Sequence, residues 1–134
     1  MRLLRLSSVV VLCVVLAGAC SGKELPEQAS DLLQKAARST DQWVEQDWEG
    51  LRSDFDENMR TKLTADLLAQ GWDSIQAMAG VYESRDEPRI VGDREGFTVV
   101  DTPMFFAMGE FKSRVSFRPN GQIAGFFILR PDVT

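Results

Sequence analysis

From Pro26 to Ala79 the apolar residues return at helical spacing, and from Val81 onward they return at strand spacing. Leu32, Leu33, Ala36, Ala37, Trp43 and Val44 recur three and four residues apart with polar residues between them. That pattern predicts an amphipathic first helix reaching to near Gly50. Pro26 suits its first turn, where a missing N–H deprives nothing of a bond. Asp54-Phe55-Asp56-Glu57 has the spacing of a capping box, and Phe55, Met59 and Leu63 line one face of a short second helix. Thr64 can cap a third, with Leu67, Leu68, Trp72, Ile75, Met78 and Ala79 on one stripe and Gly80 as its stop.

Short strands are expected over Val81–Ser84 and Pro88–Val91, with Gly92-Asp93 and Glu95-Gly96 as turns. Phe97–Met108 is apolar on both parities, and Pro103 within it requires an edge, a bulge or a bend. Glu110–Arg118 alternates: Phe111, Val115 and Phe117 point one way, Lys112, Arg114 and Arg118 the other. Asn120-Gly121 is a hairpin signal, because both residues tolerate positive φ. The return strand, Gln122–Leu129, is again apolar on both faces. Helices followed by a meander predict an α+β fold, three helices packed on a curved antiparallel sheet of about four strands. Helices cover one face of such a sheet. A second apolar face implies a pocket, an interface, or a twist strong enough to bury both.

The chain begins differently. Arg2 and Arg5 precede the apolar run Leu6–Ala19, and Ala17-Gly18-Ala19 are small. These are the three parts of an export signal. A spanning helix needs ~20 apolar residues, and Ser21-Gly22-Lys23-Glu24 end this run too soon. The expected division is therefore a leader over 1–19, a tether over 20–26 and one domain over 27–134.

Leu16-Ala17-Gly18-Ala19-Cys20 resembles the lipobox of bacterial lipoproteins, whose cysteine is acylated once the leader is cut, although its leucine lies one residue farther from the cysteine than usual. The same small residues suit an ordinary signal peptidase at the same bond. Acylation at Cys20 implies a lipid anchor, palmitate among its chains, on the outer side of the bacterial cell membrane. Cys13 leaves with the leader, so no internal disulfide is expected.

The net charge is −5, and losing Arg2 and Arg5 makes the mature chain more acidic still. An acidic chain without a basic run repels phosphate backbones, so nucleic acid is not an expected partner.

The order of elements resembles the nuclear transport factor 2-like superfamily, a cone of three helices and a curved sheet around a pocket. More closely, the domain is similar to the bacterial family of the domain of unknown function 3887. The resemblance is carried by Asp47-Trp48-Glu49-Gly50-Leu51, Phe55-Asp56-Glu57-Asn58-Met59, Leu63 to Leu67, Trp72 to Gly80, and Val115-Ser116-Phe117 through Gly125. It implies a cavity between Trp72 and Met78 and the concave sheet face, with Tyr82, Phe105, Phe117 and Phe127 as further lining. It also implies an outer sheet face used for dimerisation.

Enzymes on that cone place Asp, His or Tyr at the pocket, and this chain has no histidine. The commonest neutral-pH acid/base and metal ligand is therefore missing. Asp101 interrupts an apolar strand. In an apolar pocket it could act as a base; at a bend it would be an ordinary exposed acid. Asp54, Asp56 and Glu57 lack the alternating loop of a calcium site and read as helix-capping acids. No cofactor, metal or catalytic residue is expected. The leading expectation is an anchored envelope protein binding a small apolar ligand or an envelope protein. The alternatives are an isomerase- or cyclase-type enzyme with Asp101 as base, and a structural homodimer through the sheet.

Overall fold

The structure, a computed structural model, describes residues 26–134. Helices α1 (Glu27–Val44), α2 (Trp48–Ser53), α3 (Glu57–Lys62) and α4 (Ala65–Ala79) precede strands β1 (Tyr82–Arg85), β2 (Arg89–Arg94), β3 (Phe97–Phe106), β4 (Gly109–Phe117) and β5 (Ile123–Leu129). The fold is α+β, with the helices against a curved antiparallel sheet that does not close into a barrel.

There is one helix more than expected, and the sheet has five strands rather than about four, one at each stretch the sequence marks. The first helical run does not continue to Gly50, because Gln46 takes a φ of 60°. Asp47 then caps a new helix by accepting from the Gly50 N–H at 3.0 Å. The acid that starts α3 is Asp56, not Asp54. Its carboxylate accepts from the Met59 N–H at 2.8 Å, while Asp54 closes α2. Thr64 caps α4 through the Leu67 N–H, and Gly80 ends it with a φ of 77°, both as the sequence predicts.

The strand order is β1-β3-β4-β5, and β2 shares the β1 side of β3. β2 pairs with Phe97–Asp101 and β1 with Met104–Phe106. Pro103 falls between them. Its absent N–H costs no ladder bond there, and its carbonyl accepts from the Asp86 N–H at 3.0 Å. Glu95 and Gly96, with φ of 54° and 84°, make the two-residue β2–β3 turn. The β4–β5 turn spans the three residues between Arg118 and Gln122, where the sequence predicts it. Only Gly121 has a positive φ, and the Arg118 N–H donates to Gln122 O at 2.9 Å across Pro119-Asn120-Gly121.

Val100, Met104 and Phe106 of β3 join Val115, Phe117, Ile123 and Phe126 beneath α1 and α4. The opposite parity of β3, including Asp101, Pro103 and Phe105, faces away from the helices. Among the described residues, every buried member of the core cluster lies between Leu32 and Phe126. Among them no helix is long and apolar enough to cross a membrane. The leader and Cys20 lie outside the described residues.

Candidate functional site

The space expected to be a cavity under the helices is filled by aromatic rings. Trp43 meets Trp72 edge-on at 4.8 Å between ring centroids, Trp72 lies 6.4 Å from Phe106, and Trp43 lies 6.5 Å from Phe126. Trp72 and Phe117 are therefore core residues, 5% and 0% exposed, and not the walls of a pocket. Met78 turns outward from α4 and is exposed. Tyr82 sits at the rim of the core with its ring edge-on to Phe106 at 5.5 Å. Burial raises its hydroxyl pKa, and the Asp41 charge adds to that. Phe105 lies on the opposite sheet face, and Phe127 is exposed on the border strand β5. The six residues do not converge. The physical reason is Trp43: its spacing marks it as core, but not that α1 lays its ring in the very space the cone would leave open.

Asp101 lies on the face away from the helices. Arg114, directly opposite on β4, grips both its oxygens, Nε to Oδ1 at 2.7 Å and Nη2 to Oδ2 at 2.8 Å. Lys112 Nζ stands 3.2 Å from Oδ2. Burial by itself would raise the pKa of this carboxyl, but hydrogen bonds and charge from Arg114 and Lys112 more than offset it, holding the group below the usual carboxylate range. The same pairing pushes the Arg114 guanidinium up. An acid held ionised by two cations is a weak proton acceptor. Tyr82 and Asp101 also face opposite sides of the sheet, so no substrate atom can reach both. Lys112 further donates to the carbonyls of Pro131 and Val133, drawing the C-terminal residues across this face. Around it Arg89, Phe105 and Pro131 help to enclose a basin of about 480 Å³.

The acids at the α3 start do not converge either. Asp54 pairs with Arg38 at 3.1 Å and Asp56 with Arg118 at 2.6 Å. Among the described residues no three His, Cys, Asp or Glu side chains are grouped to hold a metal.

One concave apolar surface was not foreseen. It runs between α4 and β5, encloses about 310 Å³, and is lined by Leu63, Leu67, Gly71, Ile75, Phe126 and Phe127, with Trp43 at its floor. Leu67 and Phe127 are 46% and 53% exposed on its lip. Gly71 stands mid-helix, and a Cβ built there would meet nothing within 4 Å. Glycine inside a helix costs about 1 kcal/mol relative to alanine, and no internal neighbour requires it. That glycine, in the middle of an otherwise regular amphipathic helix, is the sequence signal that could have located the groove.

A family model matches residues 36–126, from the middle of α1 to the middle of β5. The chain belongs to the family described as protein of unknown function (DUF3887). The DUF3887 segment contains the aromatic core, the Asp101 clamp and most of the groove, with Phe127 and Ile128 just beyond it. A protein from Ruminococcus gnavus, solved by NMR, is similar in structure with a TM-score of 0.58 at 15% identity, over 78% of this chain and 96% of that one. At that identity the likeness is one of fold alone. No curated protein matches the chain.

Proposed function

We propose that this DUF3887 protein is a non-enzymatic envelope lipoprotein that holds a small apolar ligand in the groove between α4 and β5. In this reading the leader is removed at Cys20, acyl chains on that cysteine anchor the chain, and the domain is a nuclear transport factor 2-like cone whose interior is packed shut. Each methylene of an acyl chain contributes ~0.8 kcal/mol to membrane binding, so several chains make a stable anchor.

The observation that carries the reading is Gly71. A mid-helix glycine facing open space beside Leu67, Ile75 and Phe126 keeps clear a volume that the protein itself does not use. Binding sites for small molecules are of this kind, concave and mostly apolar. The Asp101 enzyme reading has less behind it, since that carboxylate is paired on both oxygens.

The test uses N-phenyl-1-naphthylamine, a neutral apolar dye, with the domain covering residues 26–134. Saturable binding that Gly71→Phe abolishes, with the melting temperature retained, supports the groove. Equal dye binding by Gly71→Phe would remove it. Anchoring is tested apart from this, by fractionating cells that express Cys20→Ala: the protein should leave the membrane fraction, and retention there would count against acylation.

A further inference from the structure

The two borders of the sheet are unequally protected. On one side, β1 and β2 carry Glu83, Arg85, Arg89, Asp93 and Arg94, charges of the sort by which natural sheets discourage pairing with other chains. On the other, β5 reads Ile-Ala-Gly-Phe-Phe-Ile-Leu, with neither a charge nor a proline. Alternate residues of a border strand turn their N–H and C=O groups away from the sheet. At Ile123 the chain itself occupies them: the N–H donates to Asp54 O at 2.8 Å and the C=O accepts from the Asp56 N–H at 2.9 Å. From Ala124 to Leu129, no backbone group outside the sheet among the described residues bonds that edge.

We propose that a second copy of this chain pairs there, β5 against β5 in antiparallel, so that the sheet continues across a two-fold axis. Because Asp54–Asp56 already cover the Ile123 end, the free register is Gly125–Leu129, centred on Phe127. The two Phe127 rings then face each other across the axis, which covers side chains that are 53% exposed in one copy.

Charge favours a copy over an unrelated strand. Asp54 and Asp56 are already paired with Arg38 and Arg118, which leaves the exposed Glu57 as the acid at the start of β5, and the exposed Arg130 follows its end. Antiparallel pairing about a two-fold axis sets Arg130 of each copy beside the acidic end of the other, twice over, as an isologous contact requires. A parallel pairing sets like charge against like. An uncharged peptide from elsewhere would leave both ends unanswered. This inference goes beyond ligand binding and does not depend on it, although an added strand would also supply a wall that the groove lacks.

Sedimentation equilibrium of residues 26–134, which carry the core cluster, decides between one copy and two. The expected result is a dimer that Phe127→Lys converts to monomer. Arg130→Glu and Glu57→Lys should each weaken the dimer roughly fivefold, from two exposed ion pairs, and together restore it. Amides within Gly125–Leu129 should exchange more slowly as concentration rises. A monomer at every concentration overturns the proposal, whether or not the domain binds an added apolar peptide. So does a dimer whose β5 amides exchange independently of concentration, or one broken by Ile90→Lys on β2 instead. Should Phe127→Lys fail to fold, the charge swap and the exchange data still test the pairing.

Discussion

Arg118, just past the end of β4, reaches Asp56 at the start of α3, with Nε 2.6 Å from Oδ2. The other oxygen of the same carboxylate accepts from the Met59 N–H at 2.8 Å. One buried acid thus starts a helix and ties it to the sheet, and the Phe97 ring lies 5.5 Å beneath the guanidinium. α3 is only six residues long. A helix that short is not stable by itself, so its position depends on this tie and on Met59 and Phe55 in the core.

The two roles of Asp56 can be separated. Asp56→Asn keeps an oxygen for the cap but gives up the ion pair, and Asp56→Ala gives up both. We expect Asp56→Ala to lower stability by about 1–2 kcal/mol and Asp56→Asn by about half of that, measured by urea unfolding. Equal losses would mean that the cap contributes nothing.

Two buried threonines should respond oppositely to the same substitution. Thr40 Oγ1 lies 2.6 Å from Ser113 Oγ and 2.9 Å from Ala36 O, joining α1 to β4 inside the core. Thr102 Oγ1 is buried and, among the described residues, has no hydrogen-bond partner. Thr40→Val strands the Ser113 hydroxyl and should cost about 1–3 kcal/mol, whereas Thr102→Val removes an unsatisfied group and should be neutral or stabilising. Urea midpoints of the two variants with the same sign of change would contradict the hydrogen-bond assignment.

Asp101 and Arg114 give the domain an acid-sensitive element. The Asp101 pKa is lowered in the folded state, so its stabilisation is present above the ordinary carboxylate value of about 3.9 and is lost as pH falls through the folded value. Asp56, also lowered because the Met59 N–H and Arg118 outweigh burial, acts in the same sense. Stability should therefore fall below about pH 4, and Asp101→Asn should flatten that acid limb while lowering stability at pH 7. Arg114→Met alone leaves a buried acid with only Lys112 and should cost more than the double change Asp101→Leu/Arg114→Met, which removes the buried charge altogether. Thermal melts from pH 3 to 7 measure all three.

Which parts of this were legible in the chain follows from the range of the interactions. Thr64, Gly80 and the alternation of Glu110–Arg118 act within a few residues, and they stand where the sequence sets them. The break at Gln46 was not legible, since a positive φ at a non-glycine residue leaves no compositional trace. The Asp101 clamp depends on the β3–β4 register, which places Arg114 opposite Asp101 and is fixed only once the strands pair. The filled space under the helices depends on four aromatic rings from α1, α4, β3 and β5 meeting in one place. Spacing showed those residues to be buried without showing what they were buried against. The groove was the reverse case: its sign, Gly71, was in plain view, but a helical glycine has meaning only when the space beside it is known.

That space yields the last prediction. If Gly71 served packing within the protein, a methyl group there would collide and Gly71→Ala would destabilise the fold. The built Cβ meets nothing within 4 Å, so the alanine should gain helix propensity without a clash. We expect Gly71→Ala to stabilise the domain by about 0.5–1 kcal/mol in urea unfolding, and larger side chains such as Phe to be tolerated where a core position would reject them. A glycine whose replacement stabilises the protein is not there for folding, and under the ligand reading proposed above its purpose is to leave the groove open. A destabilised Gly71→Ala would show that α4 and β5 close on each other in solution, and the ligand reading would fall with it.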